Sequence, residues 1–297
     1  MVKHQTSNLS VPYGRINNLM WAYLNGEFLK SNEAKISPLD RGFTFGDGVY
    51  EVIPSYNKKL FLFQEHLERL RSSLNKTFIN EPDDLNNLED TLLELHKRNI
   101  YKNQFFYIQI SRGAQEERSH LSNDELSPTV FITSQKLGDN PYRINPSKPG
   151  LKIRLEEDLR WGRCDIKTTA LMGNILSMHD PSLDPVDEIV LFKNGKINEG
   201  SKSNIFLVKK DKVYTPPLSQ NILPGITRNY VIQLLQKNNL ILVEEEISTD
   251  FVYESDEIWL TSSTKEIQPV AQVGDYKLPK KKCDHIWKRI LCLYIKT

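Results

Sequence analysis

The stretch LGDNPYRINPSKPG, residues 137–150, divides this sequence into two halves. It holds three prolines and two glycines with little apolar content, a composition typical of a connection between domains. A chain of 297 residues is also longer than a single hydrophobic core usually serves. We therefore predict a linker at 138–150 between a small domain at 21–137 and a large domain at 151–297, after an N-terminal extension at 1–20.

The half before the linker predicts both helices and strands. Residues 21–30, WAYLNGEFLK, predict a hairpin that turns at the Asn-Gly pair. Apolar residues recur at steps of three and four across 64–78 and across 85–95, which indicates two amphipathic helices. FFYIQIS (105–111) and TVFITSQ (129–135) are rich in aromatic and β-branched residues and predict strands.

The half after the linker is richer in predicted strands. A strand at 151–157 precedes a helical LMGNILSM (171–178) and two hairpin-like units that turn at 194–195 and 210–211. The stretch LPGITRNYVIQLLQKNN predicts a loop that becomes a helix at about Ile226. Together the two halves predict an α/β protein of the mixed α+β type.

Charge and composition exclude several kinds of partner. Lys plus Arg number 39 against 38 for Asp plus Glu, a net charge of +1, so no long-range field attracts nucleic acid or an anionic membrane. No secretory signal or spanning segment of roughly 20 apolar residues is evident, and we expect a cytoplasmic protein. Cys164, Cys283 and Cys292 form no zinc-ligand spacing, so we expect neither a metal site nor a disulfide framework.

Lys167 is the first candidate for chemistry. Four apolar neighbours predict that it is partly buried: Trp161, Ile166, Leu171 and Met172. Desolvation makes a lysine a more usable amine. The context favours a lysine able to form a Schiff base, although a solvated surface charge is the commoner role.

Three further features suggest a bound phosphorylated ring. The unpaired N–H groups at the predicted helix start, Gly225, Ile226 and Thr227, can hold a phosphate or form an ordinary helix cap. The hydroxyls of TSST (261–264), after a predicted strand, can also hold a phosphate or bond to their own backbone. Glu199 follows a predicted strand in INEGSKSNIF. A carboxylate there can keep a pyridine nitrogen protonated, or belong to a surface turn.

Six segments in series resemble the fold-type-IV (class IV) aminotransferases, which depend on pyridoxal 5'-phosphate (PLP). They are DRGFTFGDGVYEV (40–52), EHLERL (65–70), RWGRCDIK (160–167), NEGSKSNIF (198–206), LPGITR (223–228) and TSSTKEIQPV (261–270). The resemblance runs from about Trp21 to about Val270. It implies two α/β domains with PLP in the cleft between them, the second domain binding PLP, and a homodimer.

The resemblance also implies a role for each matching residue. Lys167 would be the Schiff-base lysine and Glu199 the partner of the pyridine nitrogen. Leu223 would pack against the ring. The phosphate would be held by Arg69, Ile226, Thr227, Ser262 and Ser263.

Members of the family act on different substrates. The residues that bind the substrate carboxylate, called the carboxylate trap here, distinguish these activities. In the family's D-amino-acid group this trap is a tyrosine with an Arg-x-His pair, and Tyr50 with Arg118 and His120 resemble it here. The resemblance implies that Arg118 and His120 reach the pocket of the neighbouring subunit. An arginine fork, a phenol and an imidazole can all donate to a carboxylate; a solvated arginine in the charged loop QEERSH is the alternative. The resemblance thus implies that D-alanine and 2-oxoglutarate give pyruvate and D-glutamate.

Other activities stay open at this point. A transaminase of branched-chain L-amino acids or of R-amines would not need the Arg118/His120 pair, and an aminodeoxychorismate lyase would release pyruvate without an amino acceptor. A PLP carrier without turnover is a further alternative. The chain departs from the family pattern at Lys202, where a small hydroxyl residue is usual, in its longer N-terminal lead, and after Val273.

Overall fold

The computed structural model describes residues 20–122, 126–179, 184–279 and 285–294. These residues form two sheets, one from strands before the predicted linker in the sequence and one from strands after it. The predicted mixed α/β architecture is confirmed. The predicted domain boundaries stay a proposal.

Six strands before the linker form an entirely antiparallel sheet in the order β2-β1-β6-β5-β3-β4. They are β1 (Trp21–Leu24), β2 (Glu27–Lys30), β3 (Gly48–Tyr56), β4 (Lys59–Leu60), β5 (Gln104–Ser111) and β6 (Thr129–Lys136). The helices beside them are α1 (Arg41–Phe45), α2 (Phe63–Thr77), a 3-10 turn (Asp83–Asn87) and α3 (Leu88–Arg98). Alternate residues of β5, such as Phe106 and Ile108, are fully buried with the leucines of α2 and α3, because strand side chains alternate between two faces.

Nine strands after the linker form the second sheet in the order β12-β11-β10-β13-β14-β7-β8-β9, with β15 beside β14. They are β7 (Leu151–Glu157), β8 (Glu188–Lys193), β9 (Lys196–Gly200), β10 (Asn204–Lys209), β11 (Lys212–Thr215), β12 (Leu242–Glu244), β13 (Glu257–Ser262), β14 (Glu266–Val273) and β15 (Tyr276–Lys277). The helices are α4 (Pro141–Ile144), α5 (Met172–Met178), α6 (Ile226–Lys237), α7 (Thr249–Tyr253) and α8 (Ile286–Leu293).

Both faces of the second sheet are covered, which explains its continuous apolar strands. On β10, Phe206 and Val208 pack with residues of α6 and α8. Between them, Ile205 and Leu207 point to the opposite face, where α7 contributes Val252. β7 is parallel to both of its neighbours, β14 and β8.

Most sequence predictions of elements are confirmed. The three predicted hairpins turn where expected, with residues such as Asn25, Asn194 and Lys210 at positive φ, as two-residue hairpin turns require. Some predictions were wrong in detail. The second predicted helix begins as a 3-10 turn, and Glu199 lies inside β9 rather than after it.

Two other predictions of local structure need correction. Trp161 and Met172 are exposed, so the burial around Lys167 comes from Ile166 and from residues distant in sequence. The predicted linker contains the short helix α4, capped by the side chain of Asn140. Its Tyr142 is buried against Trp287, so this stretch packs as part of the fold.

Neither a membrane-spanning helix nor a metal-binding cluster occurs in the described ranges. Among those residues, none of the helices has the length and apolar character needed to span a membrane. The same ranges hold no group of three or more His, Cys, Asp or Glu side chains suited to a metal ion. Cys283 and all but the last residue of the predicted N-terminal extension lie outside the described residues.

Candidate active site

A cavity of about 400 Å³ collects side chains from both halves of the chain. Lys167, Glu199 and Tyr50 line it. So do the remaining residues predicted to bind a cofactor: Arg69, Leu223, Ile226, Thr227, Ser262 and Ser263. The structure therefore brings nine of the eleven predicted site residues into one space.

Lys167 is held against the first strand of the site by its backbone. Its carbonyl accepts a hydrogen bond from the N–H of Tyr50 at 2.9 Å, and its own N–H donates to the Ser73 hydroxyl at 3.3 Å. An isolated bridge between Val49 and Thr168 continues this contact. The Lys167 Nζ consequently lies 4.3 Å from the centre of the Tyr50 ring, with both groups at the cavity wall.

Glu199 is buried and its carboxylate is oriented by three donors. Arg160 donates to Oε1 at 2.9 Å, while Asn204 Nδ2 and the N–H of Leu223 donate to Oε2 at 3.1 and 3.0 Å. Burial raises the pKa of Glu199 to about 7, although Arg160 and the Leu223 N–H act in the opposite direction. Asp158 in turn binds Arg160 and the Asn198 amide.

Arg69 reaches the cavity from α2 and is anchored by a buried carboxylate. Its Nε and Nη2 donate to Glu51 at 2.9 and 2.6 Å, the two-pronged geometry that suits a guanidinium. Its Nη1 donates to the Pro224 carbonyl at 3.1 Å. Burial works against the charge of Glu51, but Arg69 and His66 outweigh it and hold the pKa of Glu51 well below its usual range.

The opening of α6 offers unpaired donors to the cavity. The N-cap residue Gly225 makes no side-chain capping bond, and Thr227 in the first turn lines the cavity. Nearby, the Thr261 hydroxyl is buried and has no hydrogen-bond partner within the described residues. Backbone N–H groups at a helix N-terminus favour phosphate. Thr261, Ser262 and Ser263 all line the same cavity.

Arg118 and His120 do not line the cavity of their own chain. Both side chains are exposed and lie against Phe45, with the Arg118 guanidinium 4.7 Å and the His120 ring 5.5 Å from its centre. Arg41 fixes this loop by donating to the carbonyls of Ser119 and His120 at 2.6 and 3.1 Å. The pair is thus presented together on the surface.

The sequence interpretation missed the residues that orient the site. Arg160, Asn204 and Glu51 all lie within the segments that resemble the family. Their side-chain partners are mostly distant in sequence, as for Glu51 and Arg69, 18 residues apart. A buried charge needs a partner, and the available signal for Glu51 was a carboxylate next to the apolar residues Val52 and Ile53.

Comparison with known proteins agrees with this geometry. The model of the family "Amino-transferase class IV" matches residues 48–273. A D-alanine aminotransferase of Staphylococcus haemolyticus is 34% identical over 261 residues, covering 86% of this chain and 92% of that protein. The branched-chain aminotransferase of Thermoproteus uzoniensis with norvaline has a TM-score of 0.82 at 24% identity, covering 93% of both chains. A second branched-chain amino acid aminotransferase, from T.th. and solved with pyridoxamine 5'-phosphate, has a TM-score of 0.84 at 22% identity, covering 94% of both chains.

The fold and the cavity define an aminotransferase that works with PLP. The family match and the curated relatives make the assignment specific: the chain belongs to the class IV aminotransferases. The residues present fit the cofactor. An amine, a buried carboxylate, an uncapped helix N-terminus and an unpartnered hydroxyl face one cavity, and these are the groups that an aldehyde, a ring nitrogen and a phosphate require.

Proposed function

We propose that this chain is a D-amino-acid aminotransferase that converts D-alanine and 2-oxoglutarate into pyruvate and D-glutamate. One observation carries the transamination chemistry: Lys167 and Glu199 line the same cavity as the uncapped start of α6. The D-alanine substrate rests on the relatives of that name, which match over 84–86% of the chain.

Each cavity residue has a role in this proposal. PLP supplies an electron sink that lets an amino acid release its Cα proton. Lys167 would hold the cofactor through Nζ, and its amine, when free, would take up the Cα proton. Glu199 would keep the ring nitrogen protonated, because three donors fix its carboxylate. Leu223 would pack against the ring.

The phosphate is assigned to the part of the cavity that is lined by the start of α6. Ile226 and Thr227 contribute the unpaired N–H groups of α6, with Ser262 and Ser263 adding hydroxyls from the end of β13. Arg69 supplies the positive charge, and its two bonds to Glu51 hold the guanidinium in place. A phosphate favours both a guanidinium and a helix N-terminus.

The substrate carboxylate is assigned to Tyr50 together with Arg118 and His120 of a second copy of the chain. Tyr50 lines the cavity, whereas the other two residues are exposed on a loop outside it. The apolar face of α5 supports a homodimer. Met172, Ile175 and Leu176 of this helix are exposed, and exposed apolar clusters mark protein interfaces. The cytoplasmic location stays a prediction from sequence.

A branched-chain aminotransferase is the second candidate. The solved structures reported above share this fold at 22–24% identity, which does not extend to substrate. R-amine transamination and aminodeoxychorismate lyase activity use the same lysine and stay further alternatives. The Tyr50 position and the curated relatives favour the D-amino-acid reaction.

Product analysis tests the proposal. Purified holoenzyme is incubated with D-alanine, with and without 2-oxoglutarate, and the products are separated on a chiral column. Sustained release of pyruvate that depends on 2-oxoglutarate, with D-glutamate formed in equal amount, supports it. L-glutamate as product, or activity only on L-leucine or on an amine, contradicts it. Pyruvate release from aminodeoxychorismate without an amino acceptor identifies a lyase.

A further inference from the structure

Lys202 differs from the two arginines that line the cavity. The charge of Arg69 is paired with Glu51, and that of Arg160 with Asp158 and Glu199. Lys202 lines the same cavity, yet its side chain is exposed. Within the described residues, no hydrogen bond or ion pair involves its ammonium group.

The turn that carries Lys202 is firmly held. The hydroxyls of Ser201 and Ser203, its two neighbours, both donate to the buried carboxylate of Glu188. Asn174 of α5 donates to the Ser201 carbonyl at 2.6 Å. Gly200 has no room for a side chain, because a Cβ there would lie 2.1 Å from the Ser203 hydroxyl. The backbone of Lys202 is therefore fixed beside the cavity, while its side chain is free to move.

We propose that Lys202 binds the side-chain carboxylate of a dicarboxylic substrate, D-glutamate or 2-oxoglutarate, and so determines how well the cavity accepts acidic substrates. This inference rests on the proposed D-amino-acid transamination. The proposed chemistry uses the Lys167 amine for the cofactor and Tyr50 for the α-carboxylate. Lys202 is the lining cation that neither the reaction nor an ion pair within the described residues employs.

An exposed lysine suits an enzyme that binds a substrate with one carboxylate and a substrate with two in turn. An unpaired charge costs several kcal/mol in a buried site but little at an exposed one. When D-alanine is bound, the Lys202 ammonium stays in water. When a diacid is bound, the flexible stem of the lysine lets the ammonium approach the second carboxylate.

The test compares substrates that differ in the second carboxylate. Holoenzyme half-reactions are followed with D-glutamate and with D-alanine in wild type, Lys202→Gln, Lys202→Arg and Lys202→Glu. The matched control is Lys210→Gln, an exposed turn lysine at the other end of β10 that does not line the cavity. A second readout without turnover is the dissociation constant of glutarate relative to pentanoate, a monoacid of equal length.

We expect Lys202→Gln to lower the ratio of kcat/KM for D-glutamate to that for D-alanine by about tenfold, as for loss of a charged hydrogen bond at a partly solvated site. Glutarate should lose its advantage over pentanoate to a similar extent. Lys202→Arg should retain most of the ratio, Lys202→Glu should lower it further, and Lys210→Gln should leave it unchanged.

Two outcomes would overturn the assignment of Lys202. The first is a ratio that changes less than twofold in Lys202→Gln while wild type still reacts with D-alanine. The second is a loss of PLP affinity in Lys202→Gln with no change in the preference for glutarate, which would assign Lys202 to the phosphate. Failure of the wild type to react with either D-amino acid would instead refute the proposed function.

Discussion

At the scale of single residues, the surroundings of Glu199 control the charge of this buried carboxylate in the cavity wall. Arg160, Asn204 and the Leu223 N–H fix the direction of its carboxylate. Burial nonetheless raises its pKa to about 7. The folded apoprotein therefore holds a proton on Glu199 more readily than the unfolded chain does.

The raised pKa of Glu199 predicts a pH-dependent stability. The stability that this group contributes is fully present below its unfolded pKa, near the ordinary value of 4.5, and is lost as the pH rises through its folded pKa of about 7. We expect the unfolding free energy of apo Glu199→Gln, relative to wild type, to increase by about 1–3 kcal/mol between pH 5 and pH 8. Urea denaturation of both apoproteins measures this difference. A difference that is constant over this range would show that Glu199 titrates alike in both states.

Contiguous motifs allowed some site residues to be predicted from sequence and not others. Lys167, Glu199 and Thr227 lie in short segments that keep their order and composition. The partners of these residues depend on how distant segments pack. The Glu51–Arg69 pair joins a strand to a helix, and no spacing along the chain encodes that contact.

At the scale of elements, the start of α6 depends on a glycine with no space beside it. A Cβ on Gly225 would lie 1.9 Å from Asn204 Oδ1. The amide of Asn204 also donates to Glu199 and to the Leu223 carbonyl, at 3.1 and 3.0 Å. A side chain at position 225 would therefore displace both the helix start and the support of Glu199.

Gly225→Ala should weaken cofactor binding. We expect the dissociation constant of PLP for the apoprotein to rise tenfold or more, and stability to fall by about 1–3 kcal/mol, the usual cost of overpacking. Fluorescence titration with PLP measures the first effect and thermal denaturation the second. The matched control is Gly138→Ala, where a Cβ meets open space. Equal PLP affinity in the two variants would contradict the assignment of this helix start to the phosphate.

The predictability of elements follows from how local their causes are. Hairpin turns and the start of α6 at Ile226 depend on neighbouring residues, and both were predicted. The placement of β7 between β14 and β8 depends on pairings between residues 119–120 apart for β14 and 35 apart for β8, and it left no local pattern. The short helix α4 in the predicted linker was missed because prolines and glycines dominate that stretch.

At the scale of the whole molecule, the proposed carboxylate trap needs two copies of the chain. Arg118 and His120 are exposed around Phe45 and do not line the cavity of their own chain. Arg41 holds their loop in place by donating to the carbonyls of Ser119 and His120. Each cavity would then be completed across the subunit interface.

Mixed dimers test this arrangement. Lys167→Ala and Arg118→Ala chains are unfolded together, refolded and assayed with D-alanine. If Arg118 acts across the interface, a complete site needs Lys167 from one chain and Arg118 from the other. Random pairing makes about half of the dimers mixed, and one of the two sites in each mixed dimer is complete, so about a quarter of all sites regain activity. The control pairs Lys167→Ala with a Lys167→Ala/Arg118→Ala chain and should stay inactive. No gain over the separately refolded parents would show that Arg118 does not act across the interface.

The half-reaction of the holoenzyme tests the central claim most directly. Wild type and Lys167→Ala are mixed separately with D-alanine and with L-leucine, without any amino acceptor, and the absorbance of the bound cofactor is followed as pyridoxamine phosphate forms. The account predicts rapid conversion of the wild type by D-alanine, little by L-leucine, and none in Lys167→Ala. Conversion by L-leucine and not by D-alanine, or undiminished conversion in Lys167→Ala, would contradict it.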